Sequence, residues 1–386
     1  MAPLDRLRFS AEASRGRRYP EPAHPYRGAF QRDRDRLVHS RAFRRLEDKT
    51  QVFPAGLSDH FRNRLTHTIE VAQLARTVAV RLGLNEELTE ALALGHDFGH
   101  PPFAHSGEEE LNAQLRRHGA SFNHNLHALR LVEHFEQSYA MFPGLNLTFE
   151  VREGMVKHSM DFNRGEYPEL DEFLPGLRPP LEAQLIDFAD EIAYNTADLD
   201  DGLSAGFFSA ADIAGAVPAY AAIFETVESQ FPGAPPKVRF LESLRGLIDF
   251  LAGGLIEGTV RACHASSAAS VEDIRHHPAR LACLRPDAAE ATVQLKRFLH
   301  ARVYNSPPLA AERARARSLI AALFQLYESQ PHHMPEPYAS QARIEPSWRV
   351  ACDYIAGMTD GYLVKTAAAL GQNLSSTRGD SPSTQR

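Results

Sequence analysis

Between Asn63 and Leu82 the apolar residues Ile69, Val71, Leu74, Val78 and Leu82 recur at helical spacing, and almost nowhere does the chain alternate apolar and polar residues as a half-buried strand would. That pattern excludes a sheet-based core and makes the class all-α. Gly83 is placed to end the helix over 63–82, and Asn85 to cap the next, over 86–97. Gly99 and Pro101-Pro102 stop that helix. Ser106-Gly-Glu-Glu109 reads as a capping box opening a helix to about Arg117.

Further helices are predicted over 33–45, 123–137 and, behind Pro179-Pro180, 181–199. Segments 207–231, 237–257, 288–301, 310–328 and 346–368 also carry the helical pattern. Residues 1–29 are polar and Pro-rich and read as loosely ordered. Gln51 to Ser58, with Pro54 and Gly56, reads as a loop, and the aperiodic stretch 158–180 as a surface loop or lid. Ala265–Ser270 is linker-like. The organisation is a basic arm and helix over 1–58, a core over 59–205, a C-terminal helical region over 206–371 and a disordered tail over 372–386.

The 386 residues suffice for one large domain or two ordinary ones. Net charge is −7 and unevenly spread: residues 1–50 hold 13 Lys and Arg against 7 Asp and Glu, leaving −13 on the remainder. A basic arm on an acidic body can meet phosphate groups or an acidic neighbouring subunit, or dock on its own body. No apolar stretch is long enough to span a bilayer, and the first residues lack a signal-peptide core, so no membrane partner and a cytoplasmic location are expected. Cys263, Cys283 and Cys352 are too few and too far apart for a disulfide framework or a CxxC zinc site, and read as buried thiols.

Nine of the 18 histidines fall between His60 and His134, a crowding that packing does not explain. His118, His127 and His134 read as exposed helix positions. The remainder centres on Leu92-Ala-Leu-Gly-His-Asp-Phe-Gly-His-Pro-Pro-Phe-Ala-His105, where His96-Asp97 closes an apolar run. Adjacent helical side chains diverge by about 100°, so both reach one ion only where a helix end and a partner helix enclose it. Gly95 and Gly99 permit that approach. Asp190, Tyr194 and Asp198 share one face of their helix, and an acid there also fits a solvated face. His67, His96, Asp97 and Asp190 together would make a two-nitrogen, two-carboxylate set balancing one divalent cation, suited to Mn²⁺, Mg²⁺, Fe²⁺, Co²⁺ or Zn²⁺. The chain has no HExxH, P-loop, GxSxG or GxGxxG motif.

The order His67, His96-Asp97, Asp190 resembles the HD-domain metal phosphohydrolases. The surrounding text resembles one branch, the deoxyguanosine triphosphate triphosphohydrolase family, over about residues 30–365. It does so in Arg32–Leu46, Lys49-Thr-Gln-Val52, Asp59–His67, Gly95–His105, Phe122-Asn-His-Asn125, Ala189-Asp-Glu-Ile-Ala-Tyr194 and Asp353-Tyr-Ile-Ala-Gly-Met-Thr-Asp360. The resemblance implies an HD-domain helical fold with an N-terminal arm and a C-terminal helical extension. It implies cleavage of a deoxynucleoside triphosphate, dGTP or another dNTP, to deoxynucleoside and tripolyphosphate. A divalent metal (Mn²⁺, Mg²⁺ or Co²⁺), a homo-oligomer, a dNTP activator and binding of single-stranded DNA also come with it. Alternatives are an HD phosphohydrolase of another nucleotide, or a nucleotide- or single-stranded-DNA-binding regulator.

The motif match assigns the metal to His67, His96, Asp97 and Asp190, and catalysis to His105 and Glu108. A histidine near its ordinary pKa can protonate the leaving 5′ oxygen. The helix dipole alone also favours an acid at Glu108. Arg64, His100 and His124 match phosphate contacts, with Lys157 a further candidate. Gln51 and Asp198 match positions that read the 3′-hydroxyl. Tyr194 matches one that packs on the deoxyribose, though ordinary helix packing also accounts for it. Leu295–Tyr304 looks family-like but continues Asn305-Ser-Pro-Pro, where related sequences carry basic residues, so no C-terminal contact is carried over.

Overall fold

In a computed structural model the protein is described over residues 3–53 and 60–377, the side chains of 371–377 excepted. The motif residue Asp59 and most of the predicted 51–58 loop lie outside the described residues. Helices make up nearly all the regular structure, and the described residues hold just two isolated β-bridges, Arg17 with Thr148 and Thr50 with Asn63. The all-α expectation holds.

Three helices frame the centre. The first, Arg64–Leu82, starts where the Asn63 side chain accepts the Thr66 amide proton and ends at Gly83, whose φ of 83° suits a residue without a Cβ. Val71, Leu74, Val78 and Leu82 are buried as predicted, but Ile69 is about half exposed, on a side of the helix that its neighbours leave to solvent. Glu86–Gly95 is capped by Asn85, which accepts from the Leu88 amide. Leu181–Ser204 begins behind Pro180. All three pack on one another, and each fully buried Leu or Val contributes roughly 1.5–3 kcal/mol.

The later helices divide between two cores. Pro236–Ala265 and Pro286–Leu299 pack on Leu181–Ser204 and extend the main core. Pro307–Ser329 and Ser347–Ala356 form a second core with Ala104–Arg116, through Leu111, Leu115, Leu323, Phe324 and Ile355. The C-terminal half therefore flanks the centre on two sides. The last helix, Asp360–Thr377, runs into the stretch read as a tail; 378–386 lie outside the described residues. No helix among the described residues is long and apolar enough to cross a membrane.

Several local expectations change. The arm is ordered against the body: Leu4, Leu7 and Phe9 are buried, and Glu182 Oε1 accepts both Phe9 N and Asn85 N at 2.9 Å. Three apolar side chains in so short a run leave no periodic signal. Ser106 and Glu109 lie inside a helix that starts at Ala104, so they form no capping box. The 158–180 stretch is anchored through Phe162, Leu170 and Phe173 in a small core with Leu126, Leu129 and Phe149. His127 is buried against Asp353 at 3.4 Å, not exposed. The helix Phe149–Val156 has no predicted counterpart, because it is buried all round and shows no amphipathic period.

Candidate metal centre and active site

His67 stands on the first full turn of Arg64–Leu82, His96-Asp97 just past the end of Glu86–Gly95, and Asp190 in the middle of Leu181–Ser204. Packing of these helices brings the four together. His67 Nε2 lies 2.9 Å from Asp190 Oδ1 and 3.9 Å from Asp97 Oδ2. His96 Nε2 lies 3.5 Å from Asp97 Oδ1 and 3.8 Å from Asp190 Oδ1. Gly99, just past the His-Asp pair, lets the His124–Arg130 helix pack against this turn: a Cβ there would fall 1.8 Å from the His124 carbonyl oxygen. Gly95 is not so constrained, since its Cβ would meet only ordinary contacts with Met155 and Leu37.

The donor set fits a divalent ion. His96 Nδ1 hydrogen-bonds the Ala93 carbonyl at 2.6 Å, which leaves the lone pair on Nε2. That nitrogen is buried without a hydrogen-bond partner and faces two carboxylates. One donor atom from each of His67, His96 and Asp97 lies within 4.8 Å of the others, as does one from each of His96, His158 and Asp190. Burial opposes the charge on Asp97, but Arg64, His100 and His96 outweigh it and hold the carboxyl well below the usual range. Asp190 is likewise held down against burial by His158, His67 and His96.

Sequence reasoning missed His158. It follows the unpredicted helix Phe149–Val156, so nothing in the periodicity pointed inward. Its Nδ1 lies 2.8 Å from Asp187 Oδ1, its Nε2 3.7 Å from Asp190 Oδ2, and its ring centroid 5.2 Å from that of His96. Burial opposes its charge, but Asp187 and Asp190 push it up to about 10. The neighbouring Lys157 is not free for phosphate: its Nζ is bonded to Glu153 and to the Leu174 and Leu177 carbonyls, in a pocket that the 158–180 stretch closes.

Beside the cluster, the His100 and His124 rings stack with centroids 4.1 Å apart. Burial, with repulsion from Arg64 and His124, holds His100 well below the usual imidazole range, and its Nδ1 stands 2.9 Å from Asp97 Oδ1. His124 Nδ1 hydrogen-bonds Glu108 Oε1 at 2.8 Å. His105 is 83% exposed and its Nδ1 stands 3.8 Å from Glu108 Oε2, so the two are neighbours without a hydrogen bond. Burial works against ionised Glu108, yet His105 and His124 hold it far below the usual carboxylate range. Arg64 is buried and gives Nη1 to Asp97 Oδ2 at 2.7 Å, leaving Nε unpartnered.

Farther along Leu181–Ser204, Tyr194 is half-buried and Asp198 fully buried. Asp198 accepts the Tyr304 hydroxyl proton, so the Leu295–Tyr304 segment does reach this helix. Burial pushes the Asp198 carboxyl up to about 7, against the pull of Tyr304. Gln51 is half-buried and its Oε1 lacks a partner.

A histidine from one helix, a His-Asp pair at the end of a second and an aspartate inside a third define an HD-domain protein, and the HD domain family model matches residues 64–195. A second model, for a phosphohydrolase-associated domain, matches residues 282–369. The HD domain implies a divalent metal, and the cluster above fits one. The chain belongs to the deoxyguanosinetriphosphate triphosphohydrolase-like family. It is 43% identical to such a protein from Geobacter metallireducens over 353 residues, 92% of this chain and 91% of that one. It is 44% identical over 357 residues to one from Ralstonia nicotianae, covering 92% and 91% of the two chains. A Caulobacter sp. (strain K31) relative is 40% identical over 365 residues, 91% and 92% of the two.

Proposed function

We propose that this protein hydrolyses deoxynucleoside triphosphates, dGTP among them, to deoxynucleoside and tripolyphosphate. The observation that carries the reading is the buried, unpartnered His96 Nε2 facing the Asp97 and Asp190 carboxylates, set beside a polar His100-His124-Glu108 group. The names of the Geobacter and Ralstonia relatives support the substrate class.

His67, His96, Asp97 and Asp190 would hold the divalent ion, with His158 orienting Asp190. When bound, such an ion would supply a Lewis acid for the α-phosphate and counter-charge for a substrate carrying roughly four negative charges. Arg64, His100 and His124 meet phosphate oxygens. The bond that breaks joins the α-phosphorus to the 5′ oxygen. Water supplies the oxygen retained by tripolyphosphate and releases a proton to solvent, while protonated His105 gives its proton to the 5′ oxygen and regains one from solvent afterwards. The exposed His105 swings to reach that atom, and hydrogen bonds of this kind tighten when substrate binds. Glu108, 3.8 Å from the His105 ring in the free protein, orients it. Gln51 and Asp198 bind the 3′-hydroxyl, and Tyr194 packs on the sugar.

The test is a panel of the four dNTPs, singly and in mixtures, with Mn²⁺, Mg²⁺ or Co²⁺ and identification of products. Deoxynucleoside with tripolyphosphate is expected. Monophosphate with pyrophosphate would overturn the assignment. Mixtures include the case of a dNTP activator.

A further inference from the structure

The turn that delivers His105 is built from two non-glycine residues in the left-handed region, Phe103 at φ 60° and Ala104 at φ 53°. Such residues persist only where their surroundings hold them. Phe103 takes the N-cap position of the Ala104–Arg116 helix, and no side chain of its own caps it. Its amide instead donates to Asp360 Oδ1 at 2.9 Å. The other oxygen, Oδ2, accepts from the Thr50 amide at 2.9 Å. Asp360 is 9% exposed and belongs to the last helix, more than 250 residues away in sequence.

A second tie runs parallel to it. Lys49 is buried, and its Nζ donates to the carbonyls of His100, at 2.5 Å, and Ala356, at 3.1 Å. Lys49 O accepts from Arg64 N at 3.1 Å, and Thr50 bridges to Asn63. The junction at 356–360 thus fastens two segments, the one before Gln51 and the His100–His105 turn, and the first of these in turn holds the start of the helix bearing Arg64 and His67.

We propose that Asp360 is a positioning residue: by accepting one amide on each oxygen it fixes the distance between the Gln51 segment and the turn that presents His105. The role in turnover rests on the triphosphohydrolase reading above. The clamp itself does not.

Asp360→Asn keeps the shape but offers one acceptor oxygen and turns an NH2 donor toward the other amide. Amide hydrogen exchange should rise about tenfold at 49–52 and 101–106 and stay level elsewhere, as for a locally opened unit. With dGTP and Mn²⁺, kcat should fall roughly 10- to 100-fold, the scale of a misplacement near 1 Å. KM and bound Mn²⁺ should be retained. Ala104→Gly in the Asp360→Asn background should bring kcat back to within about threefold of wild type, because glycine adopts the left-handed turn without a holder. Thr50→Pro, which deletes one donor and leaves Asp360 intact, should loosen 51–52 but not 101–106.

Wild-type exchange at 49–52 and 101–106 in Asp360→Asn overturns the proposal. So does exchange that rises throughout the molecule with no rescue by Ala104→Gly. Should the wild type turn over no dNTP, the local rise in exchange still supports the clamp while the functional reading fails.

Discussion

His124 Nδ1 is bonded to Glu108 Oε1 at 2.8 Å, and this pair occupies the position where a His105–Glu108 dyad was expected. His105, 83% exposed and 3.8 Å from the other carboxylate oxygen, stands free of that hydrogen bond at the helix start. Under the proposed function the arrangement would separate two tasks. A histidine fixed by a stacked neighbour and a carboxylate suits a static phosphate contact, and an exposed one suits proton delivery. His105→Ala should therefore lower kcat about 10²- to 10⁴-fold, the usual contribution of a general acid, with little change in KM. His124→Ala should act mainly on KM. Steady-state kinetics on dGTP with Mn²⁺ decides it, and a His124→Ala loss in kcat equal to that of His105→Ala reassigns the proton donor to His124.

The proposed metal centre would depend on the groups behind it. Asp187 lies 2.8 Å from His158 Nδ1 through one oxygen, while Arg280 holds the other. Partners of this kind are worth about 10- to 100-fold in metal affinity. Asp187→Asn should weaken Mn²⁺ binding by that factor in calorimetric titration and leave the helical content unchanged. His96→Ala should abolish both stoichiometric metal and activity. Full metal occupancy in His96→Ala would remove the four-residue set from consideration.

What the sequence made legible follows from where period and punctuation coincide. The helices bearing His67 and His96 have Asn caps, and the first ends at a glycine, so both fell within a few residues of their observed ends. The helix Leu181–Ser204 was marked by the preceding prolines. His67, His96-Asp97 and Asp190 were then found by resemblance and are brought together by packing. His158, Lys49 and Asp360 were not assigned roles, because their partners are backbone groups or acids distant in sequence, which no local pattern encodes. The Ser106–Glu109 capping box misled because Asp360, far along the chain, supplies the acceptor for Phe103 N. The arm was misread because Leu4, Leu7 and Phe9 are buried against segments distant in sequence, where Leu82 O takes the Leu4 amide and Glu182 the Phe9 amide.

Asp198 offers a pH test with a defined sign. Burial pushes its carboxyl up to about 7 from an ordinary 3.8. The folded protein therefore binds this proton more tightly than the unfolded chain. Its contribution to stability is present below pH 4 and is lost as pH rises through about 7, at up to about 1.4 kcal/mol per pH unit. Asp198→Asn lacks that dependence. Urea unfolding at pH 5, 6, 7 and 8 should show the wild type losing more stability than the variant between pH 5 and 7, with parallel behaviour above 8. Tyr304→Phe removes the hydroxyl that stabilises the carboxylate, so its loss should extend to higher pH. Parallel curves for wild type and Asp198→Asn from pH 5 to 7 would contradict the assignment.

The ordered arm makes a prediction about stability alone. Glu182 is fully buried, and its Oε1 accepts the amides of Phe9 and Asn85, joining the arm to the start of the helix that ends at His96. Glu182→Ala strips both amides of their acceptor, at roughly 1–3 kcal/mol for each buried unsatisfied group. Glu182→Gln keeps an oxygen for both and should cost less. Chemical denaturation at pH 7 should therefore rank wild type, then Gln, then Ala. Limited proteolysis should cut the alanine variant first within residues 4–18, since release of Phe9 frees Leu4 and Leu7 with it. An alanine variant as stable as wild type, and equally resistant in that segment, would mean that apolar packing alone holds the arm.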